Sequence, residues 1–283
     1  MKNIGQVFLF LSHLSDGIII KEFKNLRRSA AHLGESFFLY DTTGKTVPEK
    51  IARLSPYFFS NECMHSLGYP LIDEKILPGH AHFPVFNFYL DKPQYGYYWL
   101  IEYDVRFSGE WRFFFESFFK TDADLLTSYI RLYEEQPNWY WWELTHPQKS
   151  IPLQNRICSF NPIYRISNSA LSFLHQAFKS GWRGHHEVAL PTLLHHHGFT
   201  IQDICVNGKY AVPGMYNNFC SGNHEIKSSG DTVRYRPVFW RYGREKNKLY
   251  HPVKPFITAM RDNINYRRSV RGRIVNFINM FRK

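Results

Sequence analysis

Glu102 and Asp104 are the residues whose type and spacing point most directly to chemistry. They close the segment Trp99-Leu100-Ile101-Glu102-Tyr103-Asp104, in which an apolar run leads straight into two acids one residue apart. If the strand continued, both carboxylates would lie on one side of it. Two carboxylates at the end of a buried strand are costly unless they meet water, a cation or a base. A divalent ion bridging to a diphosphate is one good solution, because hard cations take oxygen ligands and leave positions open for phosphate. The alternative is a strand that simply ends at a wet surface. The aromatic clusters have two readings as well. Trp139-Tyr140-Trp141-Trp142 and Trp182 could stack on a sugar, whereas Trp111 to Phe119 reads as core packing. His195-His196-His197 resembles a metal tract, but three consecutive side chains on a helix point in different directions, so these read as surface or core.

The elements that must position these acids start early. Gln6 to Ser12 is a short continuous apolar run, the pattern of a buried strand. Ser15 and Asp16 can cap a following helix, in which Ile19, Ile20, Phe23, Leu26, Ala30 and Leu33 recur at helical spacing before Gly34. Ser36 to Tyr40 is a second strand. A strand–helix–strand opening builds parallel sheet, and ligands of such sheets bind past the carboxyl ends of the strands. Those ends are Ser12-His13 and Asp41-Thr42. Tyr97 to Tyr103 is the next strand. Helical patterns are expected over Asp124–Glu135, Ser167–Phe178, Glu187–His197 and Phe256–Phe281. The expectation is one α/β domain over residues 1–255, a mostly parallel central sheet flanked by helices, and a basic helical tail over 256–283.

Glu102-Tyr103-Asp104, standing at a strand end about a hundred residues after this opening, resembles the D-x-D or E-x-D motif of GT-A-type nucleotide-sugar glycosyltransferases. Two further segments fit in the expected order. Gly181-Trp182-Arg183-Gly184-His185-His186-Glu187 puts an acid at the start of a helix, and Tyr250-His251-Pro252-Val253-Lys254 supplies a late His and Lys. The resemblance covers roughly residues 6 to 255 as scattered motifs. It implies that Asp104 contacts metal and diphosphate and that Glu102 contacts the ribose or the metal. His251 would be the third metal ligand, Lys254 a diphosphate contact and Glu187 the base of an inverting transfer. It also implies Mn2+ or Mg2+ as cofactor, a UDP-hexose donor, and a glycan or lipid-linked saccharide acceptor. The resemblance further implies a loop at Asn161–Ser167 that lines the donor-sugar pocket, so Arg165 and Ser167 join Ser12, His13, Asp41 and Thr42 as donor-binding candidates. Trp142, Trp182 and His186 are the acceptor-binding candidates. The structural alternatives are a first-turn acid facing the helix dipole for Glu187 and a surface turn for His251 and Lys254. The first acid is Glu where Asp is usual, and no standard signature follows the first strand.

Composition bounds these readings. With 44% hydrophobic and 21% charged residues over 283 positions, the chain is globular and not disordered. The net charge of +11 calls for an anionic partner. Residues 261–283 hold seven basic side chains and one acid, which is +6 and leaves 11 − 6 = +5 elsewhere. In that tail Ile274, Val275, Ile278 and Phe281 can share an apolar face flanked by Arg267, Arg268, Arg271, Arg273 and Arg282, the make-up of a helix lying on anionic lipid. The alternative is a packing helix with a solvated basic side. The apolar run Val7–Leu11 is too short for a signal peptide, and no stretch approaches the ~18 apolar residues of a membrane span. The four cysteines lack CxxC spacing and suggest a reducing compartment. Together these give a cytoplasmic protein attached to the inner face of the membrane. A nucleic-acid-binding module is a competing reading from charge and aromatics, but no such motif appears and no nucleic-acid partner is expected. A metal-dependent hydrolase could use the same acids and histidines.

Overall fold

The alternation of apolar side chains in Gln6–Ser12 sends Val7, Leu9 and Leu11 to one side and Phe8 and Phe10 to the other, and all five are buried. A strand apolar on both sides belongs in the middle of a covered sheet, and that is where it lies. The computed structural model describes residues 5–54, 56–206, 208–215, 218–221 and 231–280, with side chains described up to residue 269. In chain order the strands are β1 (Gln6–Ser12), β2 (Gly34–Asp41), β3 (Pro56–Phe59), β4 (Tyr97–Glu102), β5 (Arg106–Phe107), β6 (Leu125–Leu132), β7 (Leu144–Thr145), β8 (Ile157–Ser167), β9 (Arg183–Gly184), β10 (Ile201–Asp203) and β11 (Leu249–Tyr250). The helices are α1 (Gly17–Ala30), α2 (Glu49–Ala52), α3 (Glu62–Ser66), α4 (Phe83–Asp91), α5 (Trp111–Ser117), α6 (Asn168–Ser180), α7 (His186–His196) and α8 (Phe256–Met280).

The central sheet has seven strands in the order β10-β6-β8-β4-β1-β2-β3. Every neighbouring pair is parallel except the two made by β8, which runs against β4 and β6. The expected mostly parallel sheet flanked by helices is therefore what the chain forms. Helices α1 and α5 pack on the face of Phe8, Phe10, Trp99 and Ile101. Helices α4, α6 and α7 cover the face of Val7, Leu9, Tyr98 and Leu100. The crowded aromatic segment from Trp111 is indeed core, with Trp111, Phe114, Phe115 and Phe118 buried.

Two expectations about elements are corrected. Asp124–Glu135 is not an α-helix, and only Tyr133–Glu135 makes a short 3-10 turn. Its apolar run Leu125-Leu126 … Tyr129-Ile130 forms β6, buried between β8 and β10, where pairing on both edges overrides a helix-compatible spacing. Asn161 to Ile166 is not a loop but the middle of β8, an eleven-residue strand buried throughout. Pro162 can sit inside a central strand because the β6–β8 register shifts between Leu126 and Ser128, opposite that proline. At the other end of β8, Ser167 caps α6 by accepting from the Ala170 N–H, and Gly181 closes that helix at φ 118°, a conformation suited to glycine.

The cysteines differ from the sequence expectation. Cys205 and Cys220 form a disulfide across 15 positions, while Cys63 and Cys158 are buried thiols. No described helix is long and apolar enough to cross a membrane. Helix α8 is anchored at its start. Asn263 clamps Val238 from both sides, accepting from its N–H (2.7 Å) and donating to its carbonyl (2.9 Å), and Ala259 is buried. The tail residues Arg271, Arg273, Ile274, Val275, Ile278, Phe281 and Arg282 lie outside the described side chains.

Candidate active site

The short ribbon β5–β11 decides what meets the acids. Strand β4 ends at Glu102, and the backbone turns through Val105 N–H to Glu102 C=O (3.0 Å), which presents Asp104. Strand β5 then pairs antiparallel with β11, Arg106 opposite Tyr250, so that His251 emerges beside the two acids. The Val253 N–H donates to the Asp104 carbonyl (2.8 Å) and locks this approach. The Nδ1–H of His251 donates to the Arg234 carbonyl (3.0 Å), which leaves Nε2 facing the carboxylates. Nε2 lies 3.5 Å from Asp104 Oδ1 and 3.7 Å from Glu102 Oε2.

Burial sets the charges here. Asp104 and His251 are only 5% and 7% exposed. Burial alone would lower the His251 imidazole, but the two carboxylates overcome it and raise His251 to about 9. Burial also pushes Glu102 up, with Asp104's charge adding, partly offset by His251. Asp104 feels the same burial, yet His251, Lys254 and Arg106 hold it below the usual carboxylate range.

One ligand atom from each of Glu102, Asp104 and His251 can be chosen so that all lie within 4.8 Å of one another. Asp104 Oδ1 is buried with no hydrogen-bond partner. Two carboxylates and an imidazole oriented by a backbone carbonyl are a donor set that suits a hard or borderline divalent ion such as Mn2+ or Mg2+. The residues present fit the metal that the motif implies.

These three line a cavity of about 390 Å³. Its floor is the carboxyl edge of the sheet. Because β8 runs backwards, its early residues Phe160 and Asn161 arrive at the same edge as the end of β4. Glu187, in the first turn of α7, is on the same wall. Its Oε1 accepts from the Asn161 N–H (3.2 Å), and burial, with Glu102's charge adding, raises its carboxyl to about 8. His185 caps α7 through Nδ1, which accepts from the Glu187 N–H (3.3 Å). The proton of the neutral ring is therefore on Nε2, which is buried without a hydrogen-bond partner. Trp141 stacks on the His185 ring at 4.8 Å, with Trp139 and the exposed Tyr140 beside it in the same wall. Lys254, Arg236, Tyr235 and Tyr266 complete the rim, and Lys254 Nζ holds Asp262 of α8 at 3.1 Å.

Of the candidates named from sequence, the structure brings Glu102, Asp104, His251, Lys254, Glu187, His186 and His13 to this one cavity. His13 packs edge-on against Tyr103, and burial lowers its imidazole. Other candidates are elsewhere. Ser12 turns its hydroxyl to the Leu14 carbonyl, Asp41 accepts from the Thr43 N–H, and Thr42 donates to the Phe59 carbonyl. Ser12 and Asp41 stabilise local turns, Thr42 ties the end of β2 to the end of β3, and none of the three lines the cavity. Arg165 and Ser167 are corrected as donor-pocket residues. They pair with Trp99 and Tyr97 at the start of β4, the opposite edge of the sheet from Glu102. The Arg165 guanidinium donates to the carbonyls of Phe118 (3.0 Å), Thr121 (2.5 Å) and Ala123 (3.3 Å) and stacks over Tyr97. Ser167 donates to Asp124 Oδ1 at 2.7 Å. Trp142 and Trp182 are likewise core, Trp142 against Trp139 and Tyr133, Trp182 against His146. The histidine run is structural too, with His196 on the Asn155 carbonyl and His197 on the Leu193 carbonyl. Sequence reasoning missed His185, Asn161, Tyr235, Arg236 and Tyr266. The dipeptide His185-His186 before Glu187 was the only local signal among them.

No family model matches the sequence, and no curated protein matches it. Among solved structures it is similar to a glycosyltransferase involved in the glycosylation of the major capsid of PBCV-1, with 9% identity and a TM-score of 0.33. That alignment covers 61% of this chain and 64% of the other, so the chain spans a little under two thirds of that protein.

Proposed function

We propose that the protein transfers a sugar from a nucleoside-diphosphate donor, a UDP-hexose, to a hydroxyl of a glycan or lipid-linked saccharide, with inversion at the anomeric carbon. The convergence of Glu102, Asp104 and His251 in a cavity that also holds Glu187 carries this reading. Glu102, Asp104 and His251 would hold a divalent ion, which supplies positive charge against the departing diphosphate. Lys254 and Arg236 add fixed positive charge at the rim, suited to the same phosphates. Trp141 and Tyr140 offer ring faces to a sugar, and the unshared Nε2–H of His185 offers a donor to a hydroxyl. Glu187 takes the proton of the acceptor hydroxyl as its oxygen bonds to the anomeric carbon and the bond from that carbon to the diphosphate breaks. The raised affinity of this carboxylate for protons makes it a stronger base than an exposed glutamate once ionised.

The test is a thermal-shift panel of nucleotide sugars with and without Mn2+, repeated on Asp104→Ala. A ligand that binds only the folded state at about 100 times its Kd stabilises by ~2.7 kcal/mol. One UDP-sugar should raise Tm by several degrees in an Mn2+-dependent way, and Asp104→Ala should lose that response. A variant that kept it would end the assignment of the site. Release of nucleoside diphosphate that proceeds equally without an acceptor would favour the hydrolase instead.

A further inference from the structure

The helix that closes one side of the cavity turns an apolar stripe to solvent. On α8, Tyr266 lines the cavity, Asp262 holds Lys254, and Asn263 and Ala259 dock on the domain. At 3.6 residues per turn, Ile257, Met260 and Ile264 fall within about 60° of one another and point away from Tyr266 and Asp262, with Phe256 at the margin of that row next to Asn263. Ile257, Met260, Ile264 and Phe256 are exposed by 80%, 43%, 44% and 55%. Four large apolar side chains in one exposed row are more than the scattered single residues of an ordinary surface. Trp240 extends the row, its ring 5.1 Å from Phe256, and Arg241 lies over the indole. Arg261, Arg267 and Arg268, all exposed, flank the stripe. Residues 232–269 hold ten Lys and Arg and two acids, Glu245 and Asp262. Asp262 is paired with Lys254, while Glu245 accepts from the Ser221 hydroxyl and keeps its charge.

We infer that this face, the first turns of α8 with Trp240, seats the protein on an anionic lipid bilayer. A row of Phe, Ile and Met bordered by Trp and Arg has the make-up of a helix lying in the plane of a membrane interface. Charge decides between occupants. A second copy of the chain would oppose one basic face to another, which is repulsive. A nucleic acid would satisfy the arginines but leave the aliphatic row in water. An anionic bilayer satisfies both. Since α8 is one helix thick, the cavity beneath it lies on the order of 10 Å from the lipid surface. Resting on the transfer reading above, this makes a lipid-linked saccharide the acceptor class.

Sedimentation of the full chain with vesicles tests the surface without any need for activity. Binding is expected to phosphatidylcholine vesicles containing phosphatidylglycerol, not to phosphatidylcholine alone, and should weaken in about 0.5 M salt. The double variant Ile257→Glu, Met260→Glu should bind at least about tenfold more weakly. It should keep the wild-type Tm and the same Mn2+-dependent thermal shift, because neither residue touches the cavity. On a lipid-linked acceptor in vesicles the variant should lose turnover that it retains on a water-soluble analogue. Three results would overturn the inference: no binding to phosphatidylglycerol vesicles at low salt, equal binding by the double variant, or a variant whose only change is loss of a dimer in solution. If vesicle binding holds and no sugar is transferred, the membrane surface stands and the transfer reading falls.

Discussion

At the scale of single residues, Glu187 has the most consequential environment. Its carboxyl is raised to about 8 by burial, so at neutral pH it is mostly protonated in the free protein. As the base, it should give a transfer rate that climbs with pH up to about 8 and then levels. Glu187→Gln should cost roughly 10²- to 10⁴-fold in kcat while leaving the donor thermal shift in place. Stability should move the other way. A carboxyl whose folded pKa is raised binds more protons folded than unfolded, so the fold loses stability as pH rises from the ordinary carboxylate range through about 8. Glu187→Gln escapes that loss and should melt at a higher temperature than wild type at pH 9, by a few kcal/mol at most. Unchanged turnover together with unchanged high-pH stability would remove both roles at once. This residue was legible in sequence as an acid opening a helix behind a Gly/Trp turn. Its raised pKa was not, because it comes from burial in the finished fold and from the charge of Glu102, 85 positions away in the chain, while the Asn161 N–H works against it.

At the scale of elements, legibility followed local pattern. Strands β1 and β2 could be read as short continuous apolar runs and α1 from its helical spacing, and α6 and α7 because caps and glycines mark their ends. Strands β6 and β8 could not. The apolar spacing of β6 is compatible with a helix, and the family resemblance implies a loop where β8 runs; only pairing with each other and with β4 and β10 defines them. The same error misplaced Arg165 and Ser167, since a loop could have carried them to the ligand while an antiparallel strand carries them to the far edge. Both are therefore expected to matter for folding alone. Ser167→Ala should destabilise by about 1 kcal/mol through loss of the α6 cap. Arg165→Ala should destabilise by about 2–4 kcal/mol, because three backbone carbonyls lose their donor in a buried setting. Chemical denaturation gives both values, and an unchanged affinity for the donor in either variant separates this role from ligand binding.

At the scale of the whole molecule, the Cys205–Cys220 disulfide joins the segment after β10 to the stretch that leads toward β11. The 15-position separation gave no CxxC signal, so spacing alone could not reveal the pairing. Closing a loop of this length is worth about 3 kcal/mol of denatured-state entropy. Reduction, or the pair Cys205→Ser and Cys220→Ser, should lower the denaturation midpoint accordingly, measured with and without reductant. The order of the chain has a further consequence for biosynthesis. His251 lies 251 − 104 = 147 positions after Asp104. While the nascent polypeptide is still emerging from the ribosome, Glu102 and Asp104 face each other as like charges with no imidazole between them. The corner that holds them cannot close until the chain has been made as far as β11. A chain cut before β11 would hold all seven strands of the central sheet and leave its two acids without their imidazole.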